Sequence, residues 1–320
     1  MTDRFPALSA AVIASHFENG TPASSAYVLM AQPIRDGAPP FCLSLFGTDN
    51  RFTSQNVFKR WQYIDEGLAN VGVEVWGFSA DGDPKLLRAM KQHMFGNTGL
   101  PENIPFSWST SWFFGAEEQR FTVIQDTIHT ANNFRTRMNP SVLLAIGNYV
   151  VSSSHLRLLM ETRSKEEHGL SDYCLSNEDK QNFDVSLRIC QEKVTDLLQQ
   201  YVVGSEGTVA YLTVMRYSIE ACLVKAASPL ERLYKIWYCV FFLRFRKLWL
   251  EEHPKYSMRN FITSNLFLCV EVTAHGMLVL VRKCRLQSSP ELLLMHLFSR
   301  QGCETSSCSK CRRLTDNSSS

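Results

Sequence analysis

The order of apolar runs predicts an α/β segment followed by an all-α block, and three features carry that reading. Two short apolar runs, 26–31 and 41–46, flank the turn-forming stretch Asp36-Gly37-Ala38-Pro39-Pro40 and read as a hairpin. A third run, 73–79, rich in β-branched and aromatic residues, ends abruptly in Asp81-Gly82-Asp83 before a helix-like segment. Beyond residue 141 apolar residues recur at helical spacing and strand signals fade.

Taken in order, Ser9 to Phe17 reads as a short helix, and the hairpin follows. Val57, Trp61, Ile64 and Leu68 line one face of an amphipathic helix over 53–70, which Gly72 stops. The strand 73–79 and a helix from Pro84 come next. A Gly-, Pro- and Asn-rich link, 96–115, leads to a strand at 120–125 and a basic helix carrying Arg135 and Arg137. The helical block is expected as segments 142–163, 179–203, 208–225, 229–252 and 260–284. Three parts result: 1–140 (α/β), 141–285 (α-helical) and 286–320, a return segment with a frayed polar tail.

The chain of 320 residues, 45% hydrophobic and 20% charged, can bury a full core. A net charge of +2 supplies no global field for nucleic acid or acidic membrane, so DNA contact must come from local basic patches. Candidates are Arg135 and Arg137, the run Arg244, Arg246, Lys247, then Arg282, Lys283 and Arg285, and finally Lys310, Arg312 and Arg313. A solvated helix face explains such runs as well. No secretory signal opens the chain, and the longest apolar run, Ile236 to Leu243, is too short for a membrane span. Ten cysteines, the first seven in or beside apolar segments, fit reduced thiols of a nuclear or cytoplasmic protein. His296, Cys303, Cys308 and Cys311 offer four soft ligands at a spacing irregular for zinc. No P-loop, G-x-G-x-x-G, G-x-S-x-G or H-E-x-x-H motif is present, which argues against common NTPases, Rossmann enzymes, hydrolases and zincins.

The residues with the most chemistry are Asp81 with Asp83, Asp126 and Glu304. Carboxylates converging at the top of a sheet can hold magnesium or manganese for phosphoryl transfer. Asp126 and His129, three apart, share a helical face and a metal or a hydrogen bond. Structural readings stand beside these. Asp81-Gly82 is then a turn, Asp83 the cap before Pro84, and Asp126 a cap with a satisfied His129.

Three segments carry a resemblance. Ser79-Ala80-Asp81-Gly82-Asp83 follows strand–strand–helix–strand, Gln125 to Arg135 contains Asp-x-x-His with a basic continuation, and Ser299 to Glu304 comes after a long helical stretch. In these the chain resembles the catalytic core of the hAT and P-element superfamilies of cut-and-paste DNA transposases. The resemblance implies a ribonuclease-H-like mixed sheet interrupted by a large all-α insertion. It implies Asp81 and Glu304 as catalytic metal ligands, Asp126 and His129 in the same cleft, and DNA as the partner, with a homo-oligomer as a further expectation. The first Asp of that fold, on a strand before the hairpin, is absent, so cleavage chemistry is expected to be incomplete. The rival expectation is a helical scaffold that docks proteins and catalyses nothing.

Overall fold

The computed structural model describes residues 9–19, 23, 25–34, 38–95, 121–138, 143–176, 179–224 and 226–286. Within them, helix α1 (Ala10–Asn19) precedes an antiparallel hairpin, β1 (Ser25–Ala31) and β2 (Phe41–Thr48), with a register shift at Leu29/Met30. Helix α2 (Ser54–Ala69) starts at a reciprocal cap: Asn56 donates its N–H to Thr53 Oγ1 (3.3 Å), and Thr53 donates its own to Asn56 Oδ1 (2.9 Å). Its buried face is Val57, Trp61 and Asp65.

Strand β3 (Gly77–Ala80), helix α3 (Pro84–Phe95), strand β4 (Thr122–Gln125) and helix α4 (Thr127–Met138) form the centre of the α/β part. The two strands pair in parallel, Gly77 with Thr122 through Ala80 with Gln125. Every position of β4 is buried, so it shows none of the alternation of a strand with one wet face.

The helical part opens on a correction. Residues 142–163, expected as helix, contain a second hairpin, β5 (Leu144–Ile146) and β6 (Tyr149–Val151), before α5 (Ser153–Thr162). Gly147 at φ +58° supplies the positive φ that a two-residue hairpin turn needs, and the flanking Leu, Ile, Tyr and Val suit strands. After the short helices α6 (Lys165–His168) and α7 (Asp172–Leu175), the helix expected over 179–203 is two, α8 (Phe183–Ile189) and α9 (Glu192–Tyr201). No Gly or Pro marks that break, so apolar periodicity runs across it. Helices α10 (Glu206–Leu223), α11 (Pro229–Glu252) and α12 (Ser264–Leu286) follow. Ser228 caps α11 and Pro229 takes its first position.

The expected single mixed sheet is, among the described residues, three separate two-stranded sheets in a mostly helical chain. Two cores fill it. The larger joins α4 to α5 and α8 to α12, with Phe134, Leu156, Leu198, Leu212 and Val240 fully buried. The smaller joins α2, α3 and β4 through Val57, Trp61, Leu87, Met90 and Val123.

Helix α12 belongs to both. Leu266, Val270 and Met277 enter the larger core, while Cys269, Val272 and Val279 enter the smaller. It is long and apolar enough by composition to cross a membrane, yet its apolar window is 67% buried within the protein. Gly276 lets it lie against β4, because a Cβ there would fall far inside contact with the Val123 carbonyl oxygen. Thr122 Oγ1 donates to the Gly276 carbonyl (2.9 Å), and the Gln125 N–H reaches Thr273 Oγ1 (3.4 Å).

Candidate functional site: the carboxyl ends of the parallel strands

The parallel pairing of β3 with β4 sets the position of the first two candidate carboxylates. The Asp126 N–H donates to the Ala80 carbonyl (2.8 Å), so Asp81 and Asp126 leave two adjacent strands at the same end. Neighbouring strands run about 4.8 Å apart, which sets the two backbones side by side. Gly82, at φ +81°, turns the chain after Asp81, and Asp81 Oδ1 accepts the Asp83 N–H (3.2 Å) across that turn.

Asp83 then caps α3, its Oδ1 accepting the N–H groups of Lys85 (2.8 Å) and Leu86 (3.2 Å). Asp126 caps α4 in the same manner: Oδ1 accepts the Ile128 N–H (2.8 Å). Its other oxygen, Oδ2, lies 2.7 Å from His129 Nδ1. Both helices therefore begin on a side-chain carboxylate that meets orphan backbone donors and the positive end of a helix dipole. Asp126 is buried except at its edge and His129 is half-buried.

That hydrogen bond, accepted by Asp126, raises the His129 pKa above its ordinary value, against the opposing effect of burial. The charges of Asp126 and, to a smaller extent, Asp81 add to the rise. Asp81, Asp126 and His129 thus gather at one strand end. Tyr27 of β1, which the sequence did not single out, completes the neighbourhood. Burial raises its phenol pKa, and Asp81 and Asp83 raise it further. Arg60 of α2 stacks on its ring at 5.3 Å. Alternation along β1 was the sole signal available for Tyr27, and it does not separate a site tyrosine from a packing one.

Among the described residues no three His, Cys, Asp or Glu side chains are grouped to hold an ion. Asp126 Oδ1 and Asp83 Oδ1 accept the N–H groups that start α4 and α3, while Asp126 Oδ2 is engaged by the His129 ring. Glu304 lies outside the described residues, as do Arg312, Arg313 and the ligand set His296, Cys303, Cys308 and Cys311.

Several of the basic residues expected to touch DNA have partners inside the protein. Arg135 is buried and donates to the Asp179 carbonyl. Arg137 donates to the carbonyls of Arg259 (2.7 Å) and Phe261 (2.7 Å and 3.2 Å). Arg246, buried beneath the second hairpin, donates to the carbonyls of Ala145 (2.7 Å) and Asn260, and burial brings its pKa down to about 10. Arg244 pairs with Glu271, and Lys283 with Glu74 at 2.9 Å. A guanidinium fork satisfies two carbonyls at once, which suits it to tying irregular chain to helices.

The described cysteines are free, and all but Cys42 are buried. Burial pushes the Cys222 thiol up to about 11 and the Cys190 and Cys269 thiols up to about 12, so these three are packing groups rather than nucleophiles. No family model, curated protein or solved structure matches this chain.

Proposed function

We propose that this chain is a transposase-derived core of ribonuclease-H-like ancestry that contacts DNA without cutting it. The observation that carries the reading is Asp81 and Asp126 side by side at the carboxyl ends of adjacent parallel strands, with His129 held on Asp126. Strand ends of this kind are where open α/β sheets place their chemistry. The order hairpin, helix, strand–Asp, helix, strand–Asp-x-x-His, helical block supports it. In this reading the chain has kept the scaffold of the site, while its carboxylates now serve as helix caps.

DNA contact in this proposal is weak, because Arg135, Arg137, Arg244 and Arg246 serve the interior. Fluorescence anisotropy of a labelled duplex, from about 50 to 200 mM salt, measures it. Binding that falls steeply with salt is expected, and no binding at the low end overturns the proposal. A plasmid-nicking assay with manganese tests the second half. Cleavage that disappears in Asp81→Ala would show that the site still works.

The internal use of those arginines favours a second reading, a helical scaffold that docks protein. Salt separates the two, since apolar docking does not weaken as counterions are added.

A further inference from the structure

A small hollow lies between α4, α7 and the first turn of α5, at the far end of α4 from Asp126. Four of its lining side chains are hydrogen-bond donors: Arg135 and Thr136 of α4, Ser153 at the first position of α5, and Lys180. Met138 and Leu175 add apolar wall. Among the described residues no carboxylate lines it.

Most of this donor capacity is idle. Arg135 is 8% exposed, and one N–H of its guanidinium fork is engaged, by the Asp179 carbonyl. Asp179 is the acid whose charge acts on Arg135, yet its own oxygens accept the Gln181 N–H (3.0 Å) and the Tyr173 hydroxyl (3.3 Å). The Lys180 ammonium and the hydroxyls of Thr136 and Ser153 have no partner among the described residues. Two cations therefore share one hollow without an anion between them. Burial lowers the Arg135 pKa, the sign of a charge that lacks compensation. Helix α5 runs for ten residues, and its first turn brings N–H groups and the positive end of its dipole to the same place.

We propose that this hollow binds a phosphate oxyanion. The donors reach it from three separate parts of the chain, α4, α5 and Lys180. A tetrahedral anion has oxygens to meet them all, whereas the two oxygens of a carboxylate lie in one plane. A guanidinium beside a helix start is also the pairing that phosphate groups favour. The phosphate comes either as the free ion or as one group of a nucleic-acid backbone. Arg157, four residues after Ser153 and so on the same face of α5, is exposed and has no partner among the described residues. It would meet a neighbouring phosphate of a backbone and leave a free ion untouched. The backbone source rests on the DNA contact proposed above, and the oxyanion site itself does not.

Thermal melts of the full chain in sodium phosphate and in sodium chloride, at equal ionic strength, test the site. Phosphate at roughly ten times its dissociation constant should raise Tm by about 2–4 °C over chloride. Lys180→Gln should lose at least half of that rise. Ser153→Asp sets a carboxylate at a helix start, where it suits the dipole, and should abolish the rise with circular dichroism unchanged. Duplex anisotropy against salt then separates the two sources. For a backbone phosphate, Lys180→Gln and Arg157→Gln each lower the log–log salt slope by about one. For the free ion both leave the slope unchanged, while Lys180→Gln alone loses the phosphate response. No rise over chloride, or a rise that both Lys180→Gln and Ser153→Asp keep as a general salting effect, would overturn the site. A parent that responds to phosphate and does not bind the duplex overturns the DNA reading alone.

Discussion

The helical block and the first hairpin hide apolar side chains to very different extents. From α8 to α12 each helix finds partners on two sides, and Leu198, Leu212, Val240 and Ala274 have no exposed surface. In β1 and β2, Val28, Met30, Phe41 and Leu45 stand exposed, and none of the hairpin's described side chains belongs to either main core. The candidate site lies between these extremes. Its strands are short, but β4 is clamped by α3 and α12, and the two carboxylates are fixed because the helices behind them are fixed. The contrast shows where order at the strand ends comes from. It comes from the helical side, through α12, and not from a continuous sheet.

The largest expected effect therefore falls on α12. Gly276→Val would drive a branched side chain into the Val123 carbonyl and lift the helix off β4. Overpacking of this kind costs about 3 kcal/mol, more than the small gain in helix propensity over glycine returns. Urea unfolding should show that loss, and heteronuclear NMR should place the largest shifts at Thr122 to Asp126. A change confined to α12 would mean that the strands are held by something else. Arg246→Met comes next. It leaves the Ala145 and Asn260 carbonyls without their donor inside the larger core, at about 2 kcal/mol. Hydrogen exchange should report the damage at the second hairpin and not at β1–β2.

Much of this architecture is legible in the sequence, with identifiable exceptions. The first hairpin, α2, α3, β4, α4 and α11 sit within a few residues of where periodicity and turn chemistry put them. Helix α11 is bounded as expected because Ser228-Pro229 and His253-Pro254 mark both ends. The second hairpin was legible too, through Gly147-Asn148 between apolar triplets, but helical periodicity over the longer window masked it. The neighbourhood of Asp81 and Asp126 followed from local pattern plus one long-range fact, the parallel pairing, which no spacing encodes. What the described arginines bond to could not be read from the sequence, for a physical reason. Charge is visible in a sequence, while the carbonyls that absorb it, at Asp179, Arg259 and Phe261, are brought near only by folding.

A third, smaller effect separates the two jobs of Asp126. Asp126→Ala removes both the cap of α4 and the partner of His129, and should cost about 1 kcal/mol. Asp126→Asn keeps a capping oxygen and removes the charge, so its cost should depend on pH. The folded His129 pKa is raised above the ordinary imidazole value of 6.5, so the stabilisation is fully present below that value. It is lost as pH rises through the folded pKa. The gap between parent and Asp126→Asn should therefore narrow as pH rises above about 6.5, followed by thermal melts. A gap independent of pH would assign the whole effect to the cap.

The smallest effect is expected on the hairpin, and it tests the contrast most directly. Val28→Thr with Leu45→Thr replaces two exposed apolar side chains by polar residues that suit strands equally well. Surface changes away from a packed core stay within about 0.5 kcal/mol, so urea midpoints should coincide with the parent's. The same double change introduced in the larger core, at Leu198 and Leu212, would unfold the protein. A loss above about 1.5 kcal/mol from the hairpin variant would mean that its outer face is packed, and the α/β part would then need a second source of burial besides α12. A null result leaves α12 as the element through which the helical block holds Asp81 and Asp126 in place.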